Sequence, residues 1–340
     1  MELILERPQI MCERLVIVDG LPGCGKTMLA SIINSLKDVE QYKYSYEIEK
    51  FCLLNFLNKI DSQAAGIMIK IQLDLMLYNT MMSREVNFRY NDLSSVLKSK
   101  KRWTYIKRLF SKGDEVIPQK ILKSNPILHV VTHCLSAYSK PLLSGFSQNK
   151  LLINMYRNPL YMIKQNMWNM KNLIGNKRHF DIYFKWKKKT IPYFFLGQEE
   201  KMLKASPKEK AIFFLEWTRK NFIKNDLNIQ NKNYYELTFE SFLSKPNIHL
   251  FKIQSILNTT ASKETPNSLI KEKIPRNILS DGRDLDIYRR VGWEKTEAKN
   301  NMQELDDLYF WCYKDISSEA KQALDWLLID YENIVKRLSI

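Results

Sequence analysis

Cysteine is scarce in this 340-residue chain, and the five present (Cys12, Cys24, Cys52, Cys134 and Cys312) stand far apart with no C-x-x-C pair. A scattered, odd-numbered set supports neither a disulfide framework nor a zinc site, so a reducing compartment is expected. No run approaches the roughly 18 apolar residues of a membrane span, and no basic and apolar leader pattern is read at the start. A cytoplasmic protein without a membrane span is the expectation. Acidic residues are in the minority. The 37 Asp and Glu against 53 Lys and Arg leave a formal charge of +16, which favours anionic partners such as nucleotides and sulfated or phosphorylated substrates. Spread over solvated helix faces, the same excess would say nothing about binding. Internal repeats, Gly/Ser linkers and low-complexity segments are missing as well. One domain over residues 1–340 is therefore expected, long enough for a large core and ordinary in its 45% hydrophobic and 26% charged content.

Of the ten glycines, three fall in one stretch, Gly20-Leu21-Pro22-Gly23-Cys24-Gly25-Lys26-Thr27. An apolar run at Leu15, Val16, Ile17 and Val18 precedes it, and a helical pattern at Met28, Leu29, Ile32, Ile33 and Leu36 follows. This is G-x-x-x-x-G-K-[ST] between a strand and a helix, the context that gives the motif meaning. Its physical logic is anion capture, with glycines turning successive N–H groups inward and the helix N-terminus adding its positive dipole end. Lys26 would place a charge on a terminal phosphoryl or sulfuryl oxygen. Thr27 would hold Mg²⁺ in a nucleotidase, or donate a hydrogen bond where no metal is used.

Further along, apolar spacings of three and four predict helices over 47–60 and 62–82, within a helical insert of about 47–125. Residues 84–99 have no clear period and are read as a substrate-facing loop with a short helix. Residues 98–112 read as an amphipathic surface helix with Trp103, Ile106, Leu109 and Phe110 inward. Strands are expected at 127–132 and 151–156, each followed by helical sequence, and again at 234–238. A helix is expected over 207–225, a loop-rich stretch over 258–281, and a helical region at about 296–338. Residues 1–13 offer an edge strand through Leu3, Ile4 and Leu5. Strands separated by helices predict an α/β fold, a central parallel sheet with helices on both faces. Ligands gather at the carboxyl ends of such strands, where the loop, Thr132-His133 and Arg157 all fall.

A glycine-lysine-threonine loop alone admits kinases, nucleotide hydrolases and sulfuryl transferases. A hydrolase needs a carboxylate at a second strand end to hold Mg²⁺, but the later strands end in Thr132-His133 and Tyr156-Arg157. Asp19 precedes the loop, and Asp74, Asp92 and Asp114 lie away from strand ends. A histidine to take a proton from an acceptor and an arginine to hold a phosphate suit a metal-free transfer of a charged group.

The order of loop, Thr132-His133 and Tyr156-Arg157-Asn158-Pro159 resembles the P-loop sulfotransferase family, which uses 3′-phosphoadenosine 5′-phosphosulfate and has a P-loop nucleotidase-like fold. The family's P-[KR]-S-G-T-T is in register with Pro22-Gly23-Cys24-Gly25-Lys26-Thr27. The resemblance implies that Gly20 to Thr27 hold the 5′-phosphosulfate, that Arg157 holds the 3′-phosphate, and that His133 is the general base. Trp217, the 234–242 segment YYELTFESF and the late Tyr288-Arg289-Arg290-Val291-Gly292-Trp293 also match family motifs, the last implying phosphate contacts from Arg289 or Arg290. Gly23 stands where the family has a basic residue, and Gln165 where it has a serine eight positions after the arginine. Lys26 then supplies the charge and Gln165 a phosphate contact. The resemblance spans about residues 14–295, by motif order.

The implied activity is sulfuryl transfer to a hydroxyl or amine of a small molecule or glycan, anionic ones included, with His133 and Lys26 as catalytic residues and no metal. Two alternatives stay open: an ATP- or GTP-dependent small-molecule kinase using Mg²⁺, and a non-catalytic nucleotide- or nucleic-acid-binding protein, with nucleic acid the less favoured partner. Of the other histidines, His129 reads as packing inside a strand, and His179 and His249 as surface residues. The lysines at 185–189 read as a solvated face, or as a collar for a polyanionic acceptor. Trp168, Phe180, Tyr183 and Trp186 read as core or groove walls.

Overall fold

Leu15, Val16, Ile17 and Val18 form a continuous branched run, which suits a strand covered on both faces, and all four are fully buried. A computed structural model describes residues 4–146, 148–225, 232–276 and 278–339. Its strands are β1 (Arg14–Asp19), β2 (Lys43–Tyr44), β3 (Ile127–Val131), β4 (Lys150–Tyr156), β5 (Tyr183–Trp186), β6 (Lys189–Pro192) and β7 (Tyr234–Thr238). Five of them make one parallel sheet in the order β2-β3-β1-β4-β7, flanked by helices. The fold is α/β. Each buried Leu, Ile or Val contributes roughly 1.5–3 kcal/mol over an exposed one, so β1, β3 and β4, buried almost throughout, lie at the centre of the core.

The register sets the site. Val18 pairs with Val131 on one side and Ile153 on the other, and Tyr156 pairs with Thr238. The carboxyl ends of the strands therefore lie along one edge. The chain leaves β1 for β2 and β3 on one flank, then returns to β4 on the other, which makes the end of β1 the switch point where ligands bind in open α/β sheets.

Several elements depart from the sequence reading. The two-residue β2 has no periodicity to announce it. Ile4 and Leu5 form no edge strand and are 76% and 41% exposed, and Leu3 lies outside the described residues. The 98–112 helix is shorter, Arg102–Leu109, and faces the other way. Buried Glu40 draws in Arg108 at 2.6 Å and the Tyr105 hydroxyl at 2.6 Å. Tyr105 is 1% exposed as a result, while Trp103, Leu109 and Phe110 stay at the surface. A buried carboxylate demands its partners more strongly than a moderate apolar stripe demands cover. Residues 183–192 form a two-stranded hairpin, with Lys185, Lys187, Lys188 and Lys189 exposed on it. The loop-rich stretch contains one helix, Thr265–Lys271.

Candidate functional site

The loop after β1 is shaped by glycines at two tight approaches. Gly25 has φ +97°, and a Cβ there would overlap the Phe239 ring; one on Gly20 would come within 2.6 Å of the Met155 carbonyl oxygen. Gly25 leads into the helix Lys26–Ile33, whose first turn carries no acidic residue to occupy its positive end. Lys26 is buried, and its ammonium donates to the Gly20 carbonyl at 2.8 Å. The lysine is thus folded onto the rim of the cradle it would serve.

Neighbouring elements pin the loop. Asn166, on the helix Leu160–Asn172, donates to the Pro22 carbonyl at 2.9 Å, and Arg157 Nη1 donates to the Gly23 carbonyl at 2.9 Å. Asp19, fully buried, accepts from Thr132 Oγ1, Leu135 N–H, Ser136 N–H and Ser136 Oγ at 2.6–3.1 Å. It ties the end of β1 to the turn after β3, and its four donors leave it little capacity for anything else. Among the described residues no group of three or more His, Cys, Asp and Glu is arranged to hold a metal ion.

Two arginines meet over Phe239, at the end of β7. The guanidinium of Arg157 lies 4.2 Å from that ring and 4.7 Å from Tyr161, and Arg276 approaches Phe239 at 5.4 Å. The Nε of each is buried without a hydrogen-bond partner among the described residues. Burial lowers the pKa of both. In Arg276 the neighbouring charge of Arg157 adds to burial and pushes it down to about 10. Two desolvated cations side by side, with unused donors, form a pocket that an anion would stabilise.

His133 stands on the opposite flank. Its backbone N–H donates to Glu49 Oε1 at 2.8 Å, and Nδ1 lies 3.2 Å from the same oxygen. The imidazole lies nearly parallel to the rings of Tyr44 at 5.5 Å and Tyr46 at 6.0 Å, with interplanar angles of 12° and 16°. Its side chain keeps 31% exposure, whereas Glu49 is buried.

These groups border one cleft of about 1640 Å³, lined by Lys26, Thr27, His133, Arg157, Gln165 and Arg290 among others. The loop at 84–99 and the segment around Tyr288–Trp293 also line it. Pro22, Gly23 and Gly25 reach it directly, while Cys24 is buried beneath, its thiol pushed up by that burial. Arg289 is different. It is paired with Asp284 at 2.6 Å and Asp286 at 3.7 Å, does not line the cleft, and leaves Arg276 as the second arginine beside Phe239. Arg276, Glu49, Tyr44 and Tyr46 escaped sequence reading; the only signal was their nearness in sequence to elements already assigned, since none belongs to a spaced motif.

Other assignments shift. Trp217, on the helix Pro207–Lys224, donates to the Leu196 carbonyl at 3.0 Å and packs on Phe56 and Tyr193. His249 is buried, held by Tyr235 and Ser241 at 2.6 and 2.7 Å, so it is not a surface residue, while His179 is half-buried on the cleft wall, held by Tyr183 at 2.6 Å. His129 is fully buried in β3, as a packing residue should be. Trp168 and Phe180 are cleft walls. All five cysteines are free and buried, and no described helix is long and apolar enough to cross a membrane.

No protein-family model and no curated protein matches the chain. Among solved structures, it is similar to the sulfotransferase domain from the curacin biosynthetic pathway, at 10% identity over 92% of this chain and 97% of that one, with a TM-score of 0.43. It is similar to a mouse sulfotransferase complexed with PAP, at 10% identity over 92% and 89% of the two chains and a TM-score of 0.35. A sulfotransferase from Mycobacterium avium gives 13% identity over 90% and 78%, with a TM-score of 0.36.

Proposed function

We propose that this chain is a sulfotransferase that moves a sulfuryl group from 3′-phosphoadenosine 5′-phosphosulfate to a hydroxyl or amine acceptor. The observation that carries the reading is the pair Arg157 and Arg276, desolvated around Phe239 with their Nε donors unused and adjoining the anion loop through the Arg157–Gly23 contact. A loop for one anion beside an arginine pair for another suits a nucleotide phosphorylated at two positions. The donor supplies a sulfuryl group already bonded to a good leaving phosphate. Within the chain, Nε2 of His133 takes the proton of the acceptor as the acceptor's oxygen or nitrogen bonds to sulfur. The sulfur–oxygen bond to the 5′-phosphate breaks, and its electron pair stays on that phosphate. Lys26 and the N–H groups of Gly25 to Thr27 meet this charge, Lys26 turning away from the Gly20 carbonyl to do so. Gln165 and Arg290, on the same cleft, are further phosphate contacts in this reading.

The Gly25-Lys26-Thr27 sequence favours a second reading, a small-molecule kinase. Asp19, the carboxylate adjoining the loop, is already saturated with donors, which weighs against it as a magnesium ligand. The test is incubation of the chain with the phosphosulfate donor and an acceptor panel of phenols, alkyl alcohols, amines and oligosaccharides, read by mass spectrometry. Formation of a sulfate ester or sulfamate together with an equal amount of 3′-phosphoadenosine 5′-phosphate is expected. Phosphorylated products with ATP and Mg²⁺, and none with the phosphosulfate, would overturn the reading.

A further inference from the structure

We propose that Glu49 is the positioning residue of the base, holding His133 in the tautomer whose Nε2 is bare and fixing the ring's orientation toward the cleft; this rests on the sulfuryl-transfer reading above. The chemistry follows from what a carboxylate can do. An ionised glutamate only accepts, so the nitrogen 3.2 Å from Oε1 is the one that carries the proton. With Nδ1 protonated, the lone pair of the neutral ring is on Nε2, the nitrogen a base must present. The same oxygen also accepts the His133 backbone N–H at 2.8 Å, so the carboxylate fixes both the main chain and the ring of one residue.

Two aromatic contacts and the anchoring of the surrounding main chain leave the ring little freedom. Tyr44 and Tyr46 each lie nearly parallel to it, at 5.5 and 6.0 Å between ring centroids, so the plane is constrained by two aromatic neighbours. Glu49 sits near the start of the helix Tyr46–Phe56, capped by Ser45, where the positive dipole end favours a negative side chain. The main chain around His133 is also anchored by the second buried carboxylate, since Asp19 binds Thr132, Leu135 and Ser136. Residues 44–49 thus wrap the base within a six-residue span, and Asp19 ties the same turn to the anion loop. A histidine placed by one helix and one strand end on a rigid sheet is the arrangement that general-base transfer needs.

The test uses the full chain with ¹⁵N-labelled histidine, with His133 assigned from the His133→Asn spectrum. The neutral ring of the parent protein is expected to show Nδ1 protonated and Nε2 bare. Glu49→Leu is expected to shift the population toward protonated Nε2, while Glu49→Gln, whose carbonyl oxygen still accepts, is expected to keep the parent pattern. In turnover, Glu49→Leu is expected to lower kcat by about 100-fold or more with little change in the donor's KM, the scale on which an orienting carboxylate supports a catalytic histidine. A parent His133 protonated on Nε2, or a Glu49→Leu spectrum identical to the parent, would overturn the proposal. If Glu49→Leu does not fold, the parent tautomer alone decides. A tautomer shift in a chain that transfers no sulfuryl group would support Glu49 as the positioning residue and remove the transferase reading instead.

Discussion

The two flanks of the cleft are built in different ways. On the β1–β4 flank, the anion loop comes from eight consecutive residues, and Arg157 follows its strand directly. On the β2–β3 flank, His133 depends on Tyr44, Tyr46 and Glu49, roughly 85 residues earlier in the chain. Backbone N–H groups can hold an anion with little help from side chains, so that chemistry compresses into a motif. Placing a proton acceptor takes side chains from separate elements, and no short pattern records it. In the proposed reading the first flank binds the donor and the second prepares the acceptor.

Substitutions on one flank should then leave the other intact. The largest effect is expected from His133→Ala, which should reduce kcat by about 10²- to 10⁴-fold, the contribution of a general base, while titration shows unchanged affinity for 3′-phosphoadenosine 5′-phosphate. A fall in that affinity of similar size would dissolve the division of labour.

His129 sharpens the contrast because it lies on the same strand as the turn that carries His133. Burial, with a smaller contribution from Lys101, pushes its pKa down to about 3 from an ordinary 6.5. The folded state therefore resists the proton that the unfolded chain accepts. Above pH 6.5 the residue contributes no pH dependence, and stability falls as the pH drops from 6.5 toward 3, by up to about 5 kcal/mol. His129→Leu is expected to flatten the acid limb of a urea-unfolding profile without altering activity near neutral pH.

On the donor flank, Gly25→Ala is expected to cost about 2–4 kcal/mol in thermal or denaturant unfolding, from the positive φ and the overlap with Phe239, and to abolish donor binding. Smaller and more selective effects are expected from the arginines. Arg157→Met or Arg276→Met should weaken 3′-phosphoadenosine 5′-phosphate binding about 10- to 100-fold, the worth of one or two charged hydrogen bonds. Arg289→Met, at a residue already paired with Asp284 and Asp286, should leave it unchanged.

What could be read in advance follows the same division. The parallel sheet was legible because β1, β3 and β4 are largely apolar runs, and β7 a short tyrosine-rich one, bounded by helical periodicity, and the register that aligns their ends follows from that class of fold. β2 was not legible, since two residues carry no period; yet it delivers Tyr44 to the site. The helix at Arg102–Leu109 was found but turned the wrong way, because the demand of buried Glu40 for Arg108 and Tyr105 is a tertiary fact. Arg157 was visible at a strand end. Arg276 lies in a stretch with neither period nor motif, so its approach to Phe239 appears only when the chain is folded.

The measurement that tests the account most directly is calorimetric titration of the intact chain and its Arg157→Met, Arg276→Met double variant with 3′-phosphoadenosine 5′-phosphate and, separately, with ATP and Mg²⁺. The expected result is binding of 3′-phosphoadenosine 5′-phosphate by the parent chain, lost in the double variant. Tight ATP·Mg²⁺ binding that survives the double substitution, with no binding of 3′-phosphoadenosine 5′-phosphate to the parent, would contradict it.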